Sequence, residues 1–375
     1  MKSSNKMAAK PNQSASGNRS LGNAKKAKED EFYTQLADIE REMRHYKKHF
    51  KGKVVYCNCD DPRVSNFFHY FSYNFEKLGL KRLIATCYKN KSRDMFSKYD
   101  SDQAVMLEYE GEKNGNFVPD PDNIYTTLLE GDGDFRSAEC VDLLRQADIV
   151  VTNPPFSLFR EYVAQILEHG KKFVVIGNQG AITYKEIFPL IKDNKIWLGT
   201  KSGDMAFRVP DHYEPRETRY WQDESGQKWR SFGNMCWFTN LDLAKRHENL
   251  VLYKTYKPED YPVYDNYDAI EVSRIKDIPE GYDGAMGVPI TFLDKHNQDQ
   301  FEILGITKTW FGAATKDYPP QFQVGANGSR KKVSKLNDGA ALNIDKQPNG
   351  KIYYDVDGEF YLQTYPRILI RRKKA

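Results

Sequence analysis

From Glu29 onward, apolar side chains return at helical intervals. Leu36, Ile39, Met43, Tyr46 and Phe50 are spaced 3, 4, 3 and 4 residues apart, which lines them along one face of a helix. Gly52 stands where such a helix would stop. The pattern then changes to short continuous apolar runs: Val54 and Val55 within 53–59, Leu83 and Ile84 within 81–88, Ile149 to Val151 within 147–152, and 173–177. Such runs read as buried strands. Between them, 64–80 has helical length and is rich in Phe. Leu158, Phe159, Tyr162, Val163, Ile166 and Leu167 mark an amphipathic helix, with Ser157 placed to cap it and Gly170 to close it. Apolar strands separated by helix-length crossovers predict a parallel sheet covered on both faces. Ligands of such sheets sit at the carboxyl ends of the strands, so the residues after each strand are the ones to inspect for chemistry.

Residues 101–122 break the alternation and read as a hairpin insertion around 111–115. Further strand-like runs lie at 196–199 and 235–239. After about residue 245, Tyr, Pro, Asp and Gly dominate and the runs shorten, which predicts a second domain of irregular α+β type over 246–375. Residues 1–28 hold no aromatic residue, Val or Ile. They cannot bury enough apolar surface to offset their ordering entropy and read as a disordered basic tail.

Charge adds an asymmetry. The overall charge is +4, yet residues 1–30 carry +5 and residues 366–375 another +5, leaving −6 on the body between them. Basic ends suit a nucleic-acid partner, although solvated tails would look the same. No apolar run approaches the ~20 residues that span a bilayer, and the N-terminus lacks the apolar region of a secretory signal. Five cysteines, an odd number, make no disulfide framework. The expectation is a cytoplasmic protein.

The strand over 147–152 runs directly into Asn153-Pro154-Pro155-Phe156. By residue frequencies, Asn-Pro-Pro-aromatic turns up by chance in about one chain of this length in a few hundred. A rigid strand-to-helix turn is the plain structural explanation. The chemical one is more specific. The exocyclic amine of adenine is a poor nucleophile, because its lone pair is delocalised into the ring. Two acceptors aimed at its hydrogens would draw the nitrogen toward a tetrahedral geometry. Asn153 offers a side-chain carbonyl and Pro154 a backbone carbonyl. Pro155 stiffens the turn, and Phe156 can stack on a base that has been flipped out of its duplex.

These residues look like the catalytic motif of amino-methyltransferases that use S-adenosylmethionine. The wider chain resembles the EcoRI-type adenine-specific DNA methyltransferase family, through EFYTQ at 31–35, VVYCNCDDPRVSNFF at 54–68, GDGDFRS at 131–137 and DIVVTNPPFSLFREY at 148–162. The likeness resumes with GVPITFL at 287–293 and RILI at 367–370, and is thinnest over 200–232 and 310–365. The resemblance implies an α/β, class I (Rossmann-like) methyltransferase fold over 29–245, with a target-recognition domain over 246–375. It implies methyl transfer to adenine N6 in double-stranded DNA, by a monomer without a metal, with a restriction endonuclease as a potential genetic partner. Phe32, Tyr33 and Thr34 would match the motif enclosing the cofactor. Asn58 and Asp60 would match the motif holding its methionine end. Asp134 and Phe135 would match the motif reading its adenine, and Asn153 would lie beside it. CNCDDP stands where the broader class has a Gly-rich loop, and the second strand ends without an acid, so Asp60 or Asp61 is left for the ribose.

Other constellations carry less. Cys57 and Cys59 with His45 and His49 have ligand-like spacing, but they fall on a short strand and on the polar side of a Lys-rich helix. Arg330, Lys331 and Lys332, after 325–329, form a candidate DNA-backbone contact. The rival readings are a methyltransferase acting on RNA adenine or a protein glutamine amide, and a DNA-binding protein with an inactive cofactor pocket.

Overall fold

The computed structural model describes residues 32–63, 65–87, 104–112, 119, 124–211 and 213–374. The basic tail expected over 1–28 lies outside them, as does most of the turn expected near 111–115.

The described chain opens with a short strand, β1 (Tyr33–Thr34), and helix α1 (Leu36–Met43). The single helix expected to reach Phe50 is broken: a turn separates α1 from α2 (Lys47–Phe50). All five of the periodic residues except Leu36 are nevertheless buried, so the apolar stripe was real although the helix is not continuous.

The predicted α/β alternation follows. Strand β2 (Val54–Cys57) leads through α3 (Asn66–Tyr73) and α4 (Phe75–Leu78) to β3 (Arg82–Thr86). Ser65 caps α3 by accepting a hydrogen bond from the Phe67 amide at 3.3 Å. The insertion is an antiparallel pair, β4 (Val105–Tyr109) with β5 (Ile124–Leu128). Then come α5 (Ala138–Gln146), β6 (Ile149–Thr152), α6 (Phe159–Glu168) and β7 (Lys172–Asn178). Ser157 does not cap α6: a 3-10 turn over Phe156–Leu158 intervenes, and the N-cap residue, Leu158, makes no side-chain cap bond. Gly170 closes the helix at φ +64°.

After α7 (Phe188–Lys192), three antiparallel strands complete the large sheet: β8 (Trp197–Arg208), β9 (Tyr220–Gln222) and β10 (Lys228–Thr239). The sheet order is β1-β8-β10-β7-β6-β2-β3-β4-β5, with β9 against β10. Strands β7, β6, β2 and β3 are parallel. The chain runs from β2 outward to β3, then returns to β6 and runs the other way to β7. The order therefore reverses between β2 and β6, where crevices for ligands form in such sheets.

Beyond residue 245 the described chain contains strands and 3-10 turns but no α-helix, so the expected α+β texture is all β. One sheet joins β12 (Ile270–Glu271), β14 (Met286–Pro289), β21 (Arg367–Arg372) and β15 (Phe301–Ile306), while β11 (Lys254–Thr255) and β13 (Pro279–Glu280) form a short parallel pair of their own. A second joins β16 (Gln321–Val324), β17 (Arg330–Val333), β18 (Ala341–Ile344), β19 (Tyr353–Val356) and β20 (Glu359–Gln363). The two late family-like segments are neighbours: Gly287 pairs with Leu369 and Val288 with Ile368. A single hydrophobic core takes in Val150, Phe188 and Ile191 together with Phe292, Ile303 and Ile370. The five-stranded sheet has a separate small core around Tyr318, Leu336 and Tyr361, and another small cluster joins Tyr264 and Tyr267 to Ala340 and Leu369. Among the described residues, no helix is long and apolar enough to cross a membrane.

Candidate active site

Two asparagines follow the two strands that flank the reversal. Asn58 comes after β2 and Asn153 after β6, and both are buried. The strands are tied together just here, where the Thr152 hydroxyl donates to the Asn58 carbonyl. The Tyr162 hydroxyl on α6 donates to Asn58 Oδ1. Asn58 is thus held rather than free to move.

Asn153 is held from the other side. Its Nδ2 donates to the Phe32 carbonyl at 2.6 Å. A carbonyl accepts only, so the amide must turn its NH2 to Phe32 and its oxygen the other way. That oxygen, Oδ1, is buried and meets no donor among the described residues. Buried oxygens are nearly always hydrogen-bonded in folded proteins, so this one is poised for a donor from outside the chain. Pro154 is buried, while Pro155 and Phe156 are half-buried. The Pro155 carbonyl accepts from the Leu158 amide at 3.0 Å, starting the turn into α6.

The Phe156 ring belongs to an aromatic group. Phe32 stacks on it with centroids 5.3 Å apart and planes at 16°. Phe207 and Phe232 meet it edge-on at 6.2 and 6.0 Å. Phe32 therefore supports the 153–156 turn through both its carbonyl and its ring. Tyr33 and Thr34 are buried on β1, paired with Arg208 and Phe207 of β8. Thr34 Oγ1 is a second buried oxygen with no partner among the described residues.

The remaining predicted residues follow β2 and precede α5. Cys59 takes φ +88°, a left-handed conformation that favours glycine, so the chain bends sharply after β2 without the Gly-rich loop of the broader class. Asp60 is half-buried and accepts from Ser65 Oγ at 3.3 Å. Asp61 is committed to Arg63, at 3.0 and 2.6 Å from the guanidinium. Phe135 is buried and meets Tyr162 edge-on at 5.0 Å. Asp134 grips Arg136 through both oxygens, at 2.8 and 2.6 Å. Burial pushes its carboxyl up, but the Arg136 hydrogen bonds outweigh this and hold it below the usual carboxylate range. Tyr162 thus touches both Asn58 and Phe135, one residue from each of two expected cofactor motifs. Among the described residues, two buried oxygens without partners, the half-buried Asp60 carboxylate and the buried Phe135 ring form a set that fits an amino-acid- and adenine-bearing group such as S-adenosylmethionine.

The sequence missed Tyr162, Arg136 and Phe232 as parts of this site. Tyr162 falls on the apolar stripe of its helix, where an aromatic reads as core. Arg330, Lys331 and Lys332 stand apart, exposed on β17 at the edge of the five-stranded sheet. Arg330 is already paired with Asp355 at 2.7 Å and lies over Phe322.

Comparison with known proteins places the chain in a family. The family described as "Adenine-specific methyltransferase EcoRI" matches residues 20–373. The type II methyltransferase M.EcoRI of Escherichia coli is 52% identical over 295 residues, 78% of this chain and 90% of the relative. The type II methyltransferases M.MgeORF184P of Mycoplasma genitalium and M.MpnI of Mycoplasma pneumoniae are each 40% identical, over 75% of this chain and 84% and 83% of their own lengths. No solved structure matches the chain. With nearly its whole length matched, the chain belongs to the EcoRI-type adenine-specific methyltransferase family.

Proposed function

We propose that the Asn153–Phe156 turn carries out the reaction of a site-specific DNA adenine N6-methyltransferase. The observation that carries the role of the turn is the Asn153 amide, fixed by its NH2 and presenting an unpartnered oxygen at the carboxyl end of β6. That oxygen and the Pro154 carbonyl accept from the two hydrogens of the adenine amine, which localises the lone pair on nitrogen. The adenine is flipped from the duplex and lies against the face of Phe156 opposite Phe32. S-adenosylmethionine, the family's cofactor, supplies an electrophilic methyl group. Asp60 holds its methionine end, with Asn58 and Tyr162 shaping the floor, and Asp134 and Phe135 hold its adenine. Thr34 adds a hydroxyl from β1. Because Pro154 has no N–H and Pro155 fixes the bend, the two acceptors are aligned before substrate arrives.

The strand order, reversed between β2 and β6 with β10 antiparallel beside β7, supports a class I, Rossmann-like fold for 29–245. We assign target recognition to 246–375, with Lys331 and Lys332 and the basic tail adding contacts to the DNA backbone. The enzyme works as a monomer in the cytoplasm, and a restriction endonuclease of the same specificity is its expected genetic partner. The test is Asn153→Ala. It removes the side-chain acceptor and leaves the DNA-binding surface untouched, so methylation, followed by mass spectrometry of digested nucleosides, falls at least a hundredfold while duplex affinity stays within about twofold. A variant that methylates at the wild-type rate refutes the role.

A further inference from the structure

Strands β8 and β10 are 12 residues each, whereas β7 has 7. Their far ends extend past β7 as an arm, with β1 paired along β8 and β9 paired along β10. Its register is explicit: Arg230 lies opposite Phe207 on one side and Tyr220 on the other, and Phe232 lies opposite Met205. Directly opposed residues share a face, and so do residues two apart on a strand. One face of the arm therefore carries Tyr220, Arg230, Phe207 and Phe232. Phe207 and Phe232 are the rings that meet Phe156 and Phe32. The same face thus continues from the catalytic turn to Arg230, whose guanidinium carbon lies 5.1 Å from the centre of the Phe232 ring.

Arg230 is half-buried. One of its terminal nitrogens donates to the Thr218 carbonyl, while its Nε is buried with no acceptor among the described residues. A guanidinium held this way lacks an anionic acceptor with two oxygens, which is what a phosphodiester offers. The arm that carries it is stiff. Trp221 and Trp229 stack on the opposite face at 6.2 Å with planes at 9°. Asp223 closes the tip by accepting from Ser225 Oγ at 2.6 Å and from Trp229 Nε1 at 2.8 Å.

We propose that Arg230 holds a phosphate of the DNA strand immediately beside the target adenine, with the β8–β10–β9 arm as its rigid mount. This rests on the catalytic reading of the 153–156 turn, since the position of Arg230 relative to Phe156 sets which phosphate it reaches. The contact anchors the strand while its base leaves the helix. It is a backbone contact, so it adds affinity to every sequence alike.

The test uses the full chain and a duplex containing a site that single-molecule sequencing identifies as methylated. In Arg230→Gln, DNA affinity falls about tenfold, and the slope of log affinity against log salt shrinks by about one. Melting temperature and S-adenosylmethionine binding stay at wild-type values. Arg230→Lys restores the salt slope. With the wild-type enzyme, 5-iodouracil placed next to the target adenine crosslinks within 204–232, identified by mass spectrometry. Unchanged affinity and salt slope in a folded Arg230→Gln overturn the proposal. Should that variant melt early, the wild-type crosslink decides alone, and a crosslink mapping elsewhere, the β16–β17 hairpin included, overturns it as well. Full methylation by Asn153→Ala would instead remove the catalytic reading, and is scored separately.

Discussion

Gly133 has no room for a side chain. A Cβ there would stand 1.9 Å from the Cys87 carbonyl oxygen, and the residue takes φ +72°. The glycine lets the chain pass close behind β3 and deliver Asp134 and Phe135 to the crevice. Gly133→Ala adds a backbone clash to an unfavourable dihedral, for a cost of about 2–3 kcal/mol, seen as a lower melting temperature together with weaker cofactor binding in calorimetric titration. The neighbouring Asp134 makes a prediction in pH. Its carboxyl is depressed in the folded protein, so its stabilising contribution is present above the unfolded value of ~3.9 and is lost only as pH falls through the lower folded value. Arg136→Ala removes the guanidinium hydrogen bonds and charge that depress it, and leaves the backbone amide bond at 2.9 Å and the burial that raises it. The acid limb of cofactor affinity then moves to higher pH. Titrations from about pH 4 to 7 check this, and an unmoved limb would show that Arg136 does not govern the acid.

At the scale of elements, the position of the Asn153 amide depends on a helix elsewhere in the fold. The fully buried Glu42 on α1 accepts from the Thr200 and Lys201 amides of β8 at 2.8 and 2.9 Å, and from the Tyr46 hydroxyl at 2.9 Å. This clamps α1 to β8 and so fixes β1, just after Phe32, whose carbonyl orients Asn153. Glu42→Ala leaves these donors buried without an acceptor, a loss of about 3 kcal/mol or more in denaturant unfolding, with methylation falling along with it. Nothing in the sequence marks Glu42, because a lone acid in a helix reads as exposed. The parallel strands were legible because they are buried on both faces and leave unbroken apolar runs. Asn153 was legible because it follows such a run and is fixed by two prolines. The arm was not: its strands alternate Phe207 and Met205 with Arg208 and Ala206, and Pro210, Pro215 and Gly226 punctuate them like a loop. Arg230 and Phe232 were hidden for that reason. The break between α1 and α2 was hidden too, since periodicity records which face is buried and not whether the helix is continuous.

At the scale of the whole molecule, the change in texture near residue 245 is a change of secondary structure within one core. Phe188 on α7 packs edge-on against Phe311 at 5.5 Å and Trp310 at 6.2 Å. Arg246 lies over the Trp197 ring at 3.5 Å, and Ser202 Oγ donates to Asp294 Oδ2 at 2.6 Å. A fragment cut off at 245 would expose Phe188, which meets Trp310 and Phe311, and Ile191, which lines a small cavity with Leu293, both now buried. Each buried side chain of this size is worth about 1.5–3 kcal/mol, so the two together cost about 3–6 kcal/mol, a large share of the ~5–15 kcal/mol total stability of a typical domain. The expected outcome is that residues 1–245 expressed alone show no cooperative melting transition and do not bind S-adenosylmethionine, while the full chain unfolds with 29–245 and the β12–β14–β21–β15 sheet in one step. Removing 316–364, which carries the sheet with the separate small core, should be milder: cofactor binding is retained and DNA affinity is reduced. Calorimetry of the three proteins separates the cases, and a cooperatively folded 1–245 fragment would mean that the shared core is dispensable to the catalytic half.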